Sequence, residues 1–245
     1  MRIPRFLALS LLVVGTEPGF TAPILFKNSK KAVLYLTSQP PSIDGTYAGW
    51  KNLEGTAPRI FVFGEERTKK APSGIFFLQT DNKCLYILVD VIDSTANENS
   101  LPVALAWQND SVEVYLSTDL SPHQAYSQDD RHLRLVPRSR NNPNLVGISI
   151  NDIRVDNKPG VKAKCLFTAK GYRIEAQIPL RRLSMKKFFP GQAFRAEFQI
   201  NDGNTGKREN LLHWSSPQDA PFYDAAGWGS GIVQAVAGNS NEQRT

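Results

Sequence analysis

The sequence predicts an all-β protein: an antiparallel β-sandwich of two sheets, jelly-roll or immunoglobulin-like, with one short helix. Short runs of alternating apolar and polar residues follow one another from residue 59 to residue 236. Turn-forming clusters such as S-R-N-N-P-N and N-D-G-N-T-G-K separate these runs. Helical periodicity is almost absent, and many short strands at this spacing are typical of a sandwich.

The individual elements follow from the same pattern. The segment 179–187, P-L-R-R-L-S-M-K-K, predicts the short helix, because proline suits the first helical position. In 172–178 and 193–200, apolar residues alternate with charged and amide residues, so one face of each strand builds the core. The predicted strands are 59–63, 74–79, 84–91, 111–117, 131–136, 146–150, 161–167, 172–178, 193–200 and 230–236.

The chain divides into a leader, one domain and a tail. Residues 1–22 begin with two arginines and an apolar run too short to span a bilayer, which is the layout of a signal peptide. The sequence is compatible with cleavage of the signal peptide after residue 13 or 14 and with cleavage after residue 22. We expect a single β-sandwich domain over 23–238 and a flexible tail over 239–245. The protein is therefore expected to be exported (secreted, periplasmic or at the cell surface), with no transmembrane segment after signal removal.

Charge and cysteine content narrow the class of partner. The formal net charge is +6, and +5 without residues 1–22, which carry Arg2, Arg5 and Glu17. The basic residues are scattered and no nucleic-acid motif accompanies them, so we expect no nucleic-acid partner. Cys84 and Cys165 are the only cysteines, and in an exported protein they allow one cross-strand disulfide.

The segment 106–117, A-W-Q-N-D-S-V-E-V-Y-L-S, combines a strand pattern with an aromatic residue outside it. Val112, Val114 and Leu116 lie on one side of the predicted strand. Trp107 precedes the strand among turn-forming residues, so either its own loops cover it or it awaits a ligand.

Several phrases, in order, resemble the family 9 carbohydrate-binding modules. They are I-D-G-T-Y-A-G-W (43–50), C-L-Y-I-L-V-D-V-I-D-S (84–94), W-Q-N-D-S-V-E-V-Y-L-S (107–117), G-Y-R-I-E-A-Q-I-P (171–179), G-Q-A-F-R-A-E-F-Q-I-N-D (191–202) and H-W-S-S-P (213–217). The resemblance covers about 43–235. It implies a β-sandwich that binds sugars, typically the reducing ends of glucans and xylans, with calcium ions in structural roles.

The resemblance also implies a sugar site between two aromatic side chains. Phe222 falls at the second aromatic position, where better studied members carry Trp, and Tyr223 or Trp228 would serve if the loop were shifted. Flat aromatic rings suit the C–H faces of a pyranose, and charged or amide groups suit its hydroxyls. The matching carbohydrate-binding positions are Trp107, Glu113, Arg134, Gln199, Asp219 and Phe222.

Simpler structural roles compete with these assignments. Glu113 and Arg134 would also suit an ion pair on a sheet face. Trp50 and Trp214 are expected in the core rather than at a ligand. Asp93, Asp110, Asp129 and Asp130 offer oxygens suited to calcium, without an assigned ligand set.

The resulting functional prediction is non-catalytic carbohydrate binding, with a mono-, oligo- or polysaccharide as ligand and a glycoside hydrolase as a further partner. No cofactor is required, although structural calcium is allowed. The alternatives are a scaffold that has lost the sugar site and a hydrolase accessory with its own activity. For hydrolysis, Glu113, Glu175 and Glu197 are candidate acids that nothing in the sequence pairs. A haem site is not expected, because after Met1 only Met185 remains as an axial methionine.

Overall fold

The computed structural model describes residues 31–64 and 71–236, which form thirteen strands and three 3₁₀ segments. The predicted signal peptide (1–22) and tail (239–245) lie outside the described residues. The 3₁₀ segments are Ala48–Trp50, Val103–Gln108 and Leu180–Arg182. The strands are β1 (Ala32–Leu36), β2 (Ile60–Phe63), β3 (Ser73–Thr80), β4 (Cys84–Ile92), β5 (Ser111–Ser117), β6 (Asp130–Pro137), β7 (Val146–Ile150), β8 (Ile153–Arg154), β9 (Lys162–Thr168), β10 (Gly171–Pro179), β11 (Ala193–Asn204), β12 (Lys207–His213) and β13 (Gly229–Ala235).

The strands form one continuous hydrogen-bonded path in the order β8-β7-β6-β5-β11-β13-β1-β3-β4-β10-β9. β12 pairs with β11 and with β2. The prediction of a nearly all-β protein is confirmed, whereas the prediction of purely antiparallel pairing is wrong at β1. That strand runs parallel to both of its neighbours, β13 and β3, and thereby joins the two halves of the path.

Apolar side chains from both halves of this path share one core, so the sheet turns over on itself in a manner consistent with a sandwich. Strand β10 contacts β6, β11 contacts β3, and β9 contacts β7, although none of these pairs shares backbone hydrogen bonds. Leu135 and Ile148 from one half belong to the same buried cluster as Ile87 and Ile174 from the other. The opposite face of β5, β6 and β11 is therefore left for polar residues.

The segment 43–50 packs on the outer face of the other half of the sheet. Glu175 in β10 accepts hydrogen bonds from the backbone N–H groups of Asp44 and Gly45, at 2.8 and 2.7 Å, and from the Trp50 indole at 2.7 Å. Gly45 has a φ of 79°, which a residue with a side chain rarely adopts. The I-D-G…W phrase thus has a structural role, because it ties the 43–50 segment to β10. Trp50 is a buried core residue, as predicted.

The predicted helix over 179–187 is much shorter than expected. Only Leu180–Arg182 forms a 3₁₀ turn, with Pro179 preceding it, and Ser184 has a left-handed φ of 48° that ends the helical path. Buried Leu180 and Leu183 fix this segment as a corner of the core. Among the described residues, no helix has the length and apolar character needed to cross a bilayer.

The disulfide that the sequence allows between Cys84 and Cys165 is not formed in this structure, in which both thiols are free. Cys84 lies in β4 opposite Pro179, and Cys165 lies in β9 opposite Ile174. Strand β10 separates them, so they are at least two strand spacings apart, about 9–10 Å. A disulfide requires Cα atoms within about 7 Å.

Candidate functional site

A row of polar side chains crosses the outer face of neighbouring strands. Arg134 in β6 lies opposite Glu113 in β5, which lies opposite Gln199 in β11. His213 in β12 continues the row beyond Gln199. The register therefore places Glu113, Arg134 and Gln199 on one sheet face.

Trp107 lies at the edge of this polar row, in the 3₁₀ segment Val103–Gln108. Val103 and Ala106 of that segment pack against Val136, and the Ala106 carbonyl accepts a hydrogen bond from the Ser111 hydroxyl at 3.0 Å. Trp107 itself is partly exposed, and it belongs to none of the buried hydrophobic clusters found in the described residues. The segment is anchored, while the indole is left partly exposed.

The loop 214–225 lies on the other side of the polar row from Trp107, and Glu197 binds the backbone at the beginning of this loop. One Glu197 carboxylate accepts the backbone N–H groups of Trp214, Ser215 and Ser216 at 2.5–3.1 Å. Burial raises the pKa of Glu197 to about 7, although these hydrogen bonds oppose the shift. Trp214 packs edge-on against Phe198 and is a core residue, as predicted.

Phe222 in this loop is 51% exposed and contacts Tyr223 edge-on, with ring centroids 4.7 Å apart. The alternative assignment to Trp228 is wrong, because its side chain is 5% exposed and packs against Tyr115. Its indole N–H donates to the Pro221 carbonyl at 3.2 Å, which supports the loop from below. Phe222 is thus the aromatic residue that the loop presents to the cavity.

A cavity of about 290 Å³ brings all six predicted site residues together. Sequence reasoning missed three further lining residues, Ala104, Asp152 and Arg208. The two-residue turn N-D between β7 and β8 could have indicated Asp152, whereas K-R-E-N gave no signal for Arg208. The complete lining is Ala104, Trp107, Glu113, Arg134, Asp152, Gln199, Arg208, Asp219 and Phe222.

Glu113 forms the buried floor of the cavity and receives four protein donors. Its Oε1 accepts from Arg134 Nε at 3.0 Å and from Asn201 Nδ2 at 2.9 Å, and its Oε2 accepts from the Tyr115 hydroxyl at 2.5 Å. His132 Nε2 lies 2.5 Å from the same Oε2. Burial alone would raise the pKa of Glu113, but the Arg134 charge, His132 and the hydrogen bonds hold it well below its usual range.

The remaining polar groups differ in how many hydrogen-bonding positions they have left. Arg134 Nη1 donates to the Val103 carbonyl at 3.0 Å and to Asp152 Oδ1 at 2.7 Å, while its Nη2 donates to no described residue. Gln199 Nε2 donates to Asn201 at 2.9 Å and keeps a second hydrogen without an acceptor in the described part of the chain. These two groups are donors that a ligand hydroxyl could use.

Arg208 connects the two walls of the cavity. Its guanidinium carbon lies 5.0 Å from the ring centroid of Trp107 and 5.9 Å from that of Phe63, and its Nη2 pairs with Asp219. A cation on an indole face at this distance is attractive. Arg208 therefore fixes the position of Trp107 relative to the 214–225 loop.

A second cluster consists of three buried aspartates at one end of the β4, β5 and β11 strands. One oxygen from each of Asp93, Asp110 and Asp202 lies within 4.8 Å of the others. Burial is the main cause that raises the pKa of Asp110 to about 8 and that of Asp202 to about 6, and Asp93 contributes repulsion to both. Asp93 Oδ2 is buried and accepts no hydrogen bond from a described residue. Hard oxygen ligands with an unused carboxylate oxygen fit a divalent cation such as calcium.

The other two aspartates considered for calcium do not join this cluster. Asp130 accepts from His123 Nε2 at 2.6 Å and from the Ser127 N–H at 2.6 Å. Asp129 is exposed in the turn before β6. Asp202, at the end of the F-Q-I-N-D phrase, lies beside Asp93 and Asp110 instead.

Comparisons with known proteins identify the family. The family model described as carbohydrate family 9 binding domain-like matches residues 43–235. Exoglucanase XynX of Acetivibrio thermocellus is 27% identical over 192 residues, which are 78% of this chain and 16% of that protein. The chain thus spans about a sixth of the length of the curated relatives that it matches.

Two solved structures of family 9 carbohydrate-binding modules from Caldicellulosiruptor kristjanssonii share the fold. The module in complex with glucose has a TM-score of 0.63 at 25% identity and covers 85% of this chain and 99% of that chain. The module in complex with cellotriose has a TM-score of 0.64 at 24% identity and covers 87% and 99%. Since the family model covers nearly the whole described domain, the chain belongs to the carbohydrate family 9 binding domain-like family.

Proposed function

We propose that this carbohydrate-binding module holds one neutral pyranose between Trp107 and Phe222 and carries out no catalysis. The observation that carries the proposal is the cavity between a partly exposed indole and a half-exposed phenyl ring, with polar groups at its floor. Its volume of about 290 Å³ is at the lower end of the range for small-molecule sites. A single ring or a chain end fits this size better than the middle of a polymer. The resemblance to family 9 modules adds the expectation that this end is the reducing end of a glucan or xylan.

Different side chains would contact the apolar faces and the hydroxyl groups of the sugar ring. Trp107 and Phe222 cover the apolar C–H faces of the ring, while Arg134 Nη2 and the unused Gln199 hydrogen donate to hydroxyl oxygens. Asp219 accepts a hydroxyl hydrogen from the loop side. Glu113 acts mainly by holding Arg134, because its four acceptor positions already have protein donors and a hydroxyl would have to share one of them.

The same geometry argues against hydrolysis. A glycoside hydrolase needs a protonated carboxyl group beside the scissile bond as its general acid. The lowered pKa of Glu113 keeps this carboxylate charged at the floor of the cavity. Glu175 and Glu197, the other candidate acids, hold the backbone of the 43–50 segment and of the 214–225 loop.

The names of the relatives indicate the type of enzyme with which the module works. Their names are exoglucanase and endo-1,4-beta-xylanase, and the two solved neighbours are in complex with glucose and cellotriose. We therefore propose an exported module that serves a glycoside hydrolase, within the same chain or as a separate partner. Calcium held by Asp93, Asp110 and Asp202 would stabilise the strand ends beside the sugar site.

Isothermal titration calorimetry with glucose, cellobiose and xylobiose tests the proposal, with Trp107→Ala beside the wild-type protein. We expect wild-type binding, loss of detectable binding in the variant, and a melting temperature within about 3 °C of wild type, because Trp107 lies outside the buried clusters. Leu105→Ala is the matched control, since it is exposed in the same 3₁₀ segment and does not line the cavity.

One observation favours the alternative of a scaffold without a working site. Two acceptors that would meet a sugar already have protein partners, since Glu113 has four donors and Asp219 pairs with Arg208. If the wild-type protein gives no heat with any of the three sugars, the scaffold replaces the sugar site as the function that the structure supports.

A further inference from the structure

The hairpin between β7 and β8 brings a carboxylate to the cavity through an unusual turn. Ile150 pairs with Ile153, so the loop has two residues, Asn151 and Asp152, with φ values of 47° and 63°. Positive φ at both positions is the type I′ hairpin turn, in which glycine is the favoured second residue. This chain has an aspartate there, although the left-handed conformation is less favourable for it than for glycine.

Neighbouring groups fix the turn and aim the carboxylate. Asn151 exchanges two hydrogen bonds with the His132 backbone in β6, at 2.8 Å through its side chain and 2.7 Å through its N–H. Asp152 Oδ1 accepts from Arg134 Nη1 at 2.7 Å. The Asp152 side chain is 58% exposed and lines the cavity, and its Oδ2 accepts no hydrogen bond from the described residues.

Asp152 and Asp219 each keep one carboxylate oxygen that accepts no hydrogen bond from a described residue, whereas the other acceptors in the cavity are more fully engaged. Glu113 receives four donors. Gln199 Oε1 lies 3.1 Å from the Tyr115 hydroxyl and 3.0 Å from His213 Nε2. Asp219 is paired with Arg208. The Asp152 side chain is 58% exposed against 35% for Asp219, so its second oxygen is the more accessible acceptor for a hydroxyl that enters the cavity.

The charges in the cavity favour a neutral ligand. Three carboxylates line it, from Glu113, Asp152 and Asp219, against the two guanidinium groups of Arg134 and Arg208. Both guanidinium groups are paired with those carboxylates. A sugar acid would bring a further negative charge to a site whose lining cations are already compensated.

We propose that Asp152 is a sugar-binding and specificity-determining residue. Its Oδ2 accepts hydroxyl hydrogens of the bound ring, and its charge makes the site select neutral pyranoses over uronic acids. This inference rests on the proposed sugar-binding function.

Two substitutions and one matched control test it by calorimetry with glucose and with glucuronate at pH 7. Asp152→Gly keeps the turn and removes the carboxylate, and Asp152→Asn keeps an acceptor while removing the charge. Asp156→Asn is the control, since Asp156 pairs with exposed Arg154 at 2.7 Å near the same hairpin and does not line the cavity.

We expect Asp152→Gly to bind glucose about tenfold to a hundredfold more weakly, as for the loss of a charge-assisted hydrogen bond. Its melting temperature should stay near that of wild type, because glycine relieves the left-handed conformation while the Arg134 pair is lost. Asp152→Asn should narrow the preference for glucose over glucuronate by about tenfold, and Asp156→Asn should leave both affinities unchanged.

The outcomes separate this inference from the function on which it rests. Wild-type affinity for glucose in Asp152→Gly, or an unchanged glucose to glucuronate ratio in Asp152→Asn, overturns the role of Asp152 and leaves the sugar site standing. If the wild-type protein binds no neutral sugar, both the role of Asp152 and the proposed sugar-binding function are refuted.

Discussion

Phe222 lies where the family resemblance leads us to expect a tryptophan, and truncating it gives a calculable effect. The side chain is 51% exposed, which for an aromatic residue corresponds to about 100 Å². A pyranose on one face would cover about half of that, or about 50 Å². At about 25 cal/mol per Å² this is about 1.3 kcal/mol, so Phe222→Ala should weaken sugar binding about tenfold.

Calorimetry with cellobiose measures this effect, and thermal unfolding shows whether the fold is intact. Phe222→Ala should unfold within about 0.5 kcal/mol of wild type, as expected for an exposed side chain. Phe222→Trp, which offers a larger face, should bind more tightly than wild type. Phe189→Ala is the control, because Phe189 is 62% exposed and lies outside the cavity. Equal affinity in wild type and Phe222→Ala would refute the idea that the loop supplies half of an aromatic clamp.

Two further predictions concern the floor of the cavity and the aspartate cluster. Glu113→Ala should lower the free energy of unfolding by about 3–5 kcal/mol, because Arg134 would remain buried without this partner; a loss below about 1 kcal/mol in urea denaturation would contradict this. Calcium should raise the melting temperature of the wild-type protein but not that of Asp110→Asn. The affinity for calcium should fall between pH 8 and pH 6. The reason is that Asp110 and Asp202, with pKa values of about 8 and 6, must lose their protons to hold a cation. Without calcium the pH dependence of stability has the opposite sign. A raised pKa in the folded state favours folding at low pH, and this stability is lost as the pH rises from about 4, the unfolded-state value, to about 6 for Asp202 and about 8 for Asp110. A calcium affinity that does not vary over this pH range would show that the cluster is not the site.

Alternation along the strands predicted most of the fold because one face of the sheet is buried. Residues 111–117 and 193–200 alternate clearly, and both form strands in register with each other. Strand β12 escaped prediction because K-R-E-N-L-L-H has charges where a buried strand would alternate. The parallel pairing of β1 could not be predicted either, since strand direction depends on contacts with residues far along the chain.

The candidate site was predictable where it followed strand register or a recognisable motif. The alternation placed Glu113 and Gln199 on the polar face, and the family resemblance added Trp107. Asp152 and Arg208 depend on the distances between separate loops and strands, which spacing in sequence does not specify. The N-D dipeptide marks Asp152 as a turn residue, but the position of Asp152 and Arg208 at the cavity follows only from the folded chain.

The position of a bound sugar tests the account most directly. A crystal structure of the protein with cellobiose should show the ring at the reducing end between Trp107 and Phe222, with a hydroxyl within about 3 Å of Arg134 Nη2. A sugar bound elsewhere, for example in the polar groove lined by Asn97 and Asn204, with the cavity beside Trp107 left empty, would contradict it.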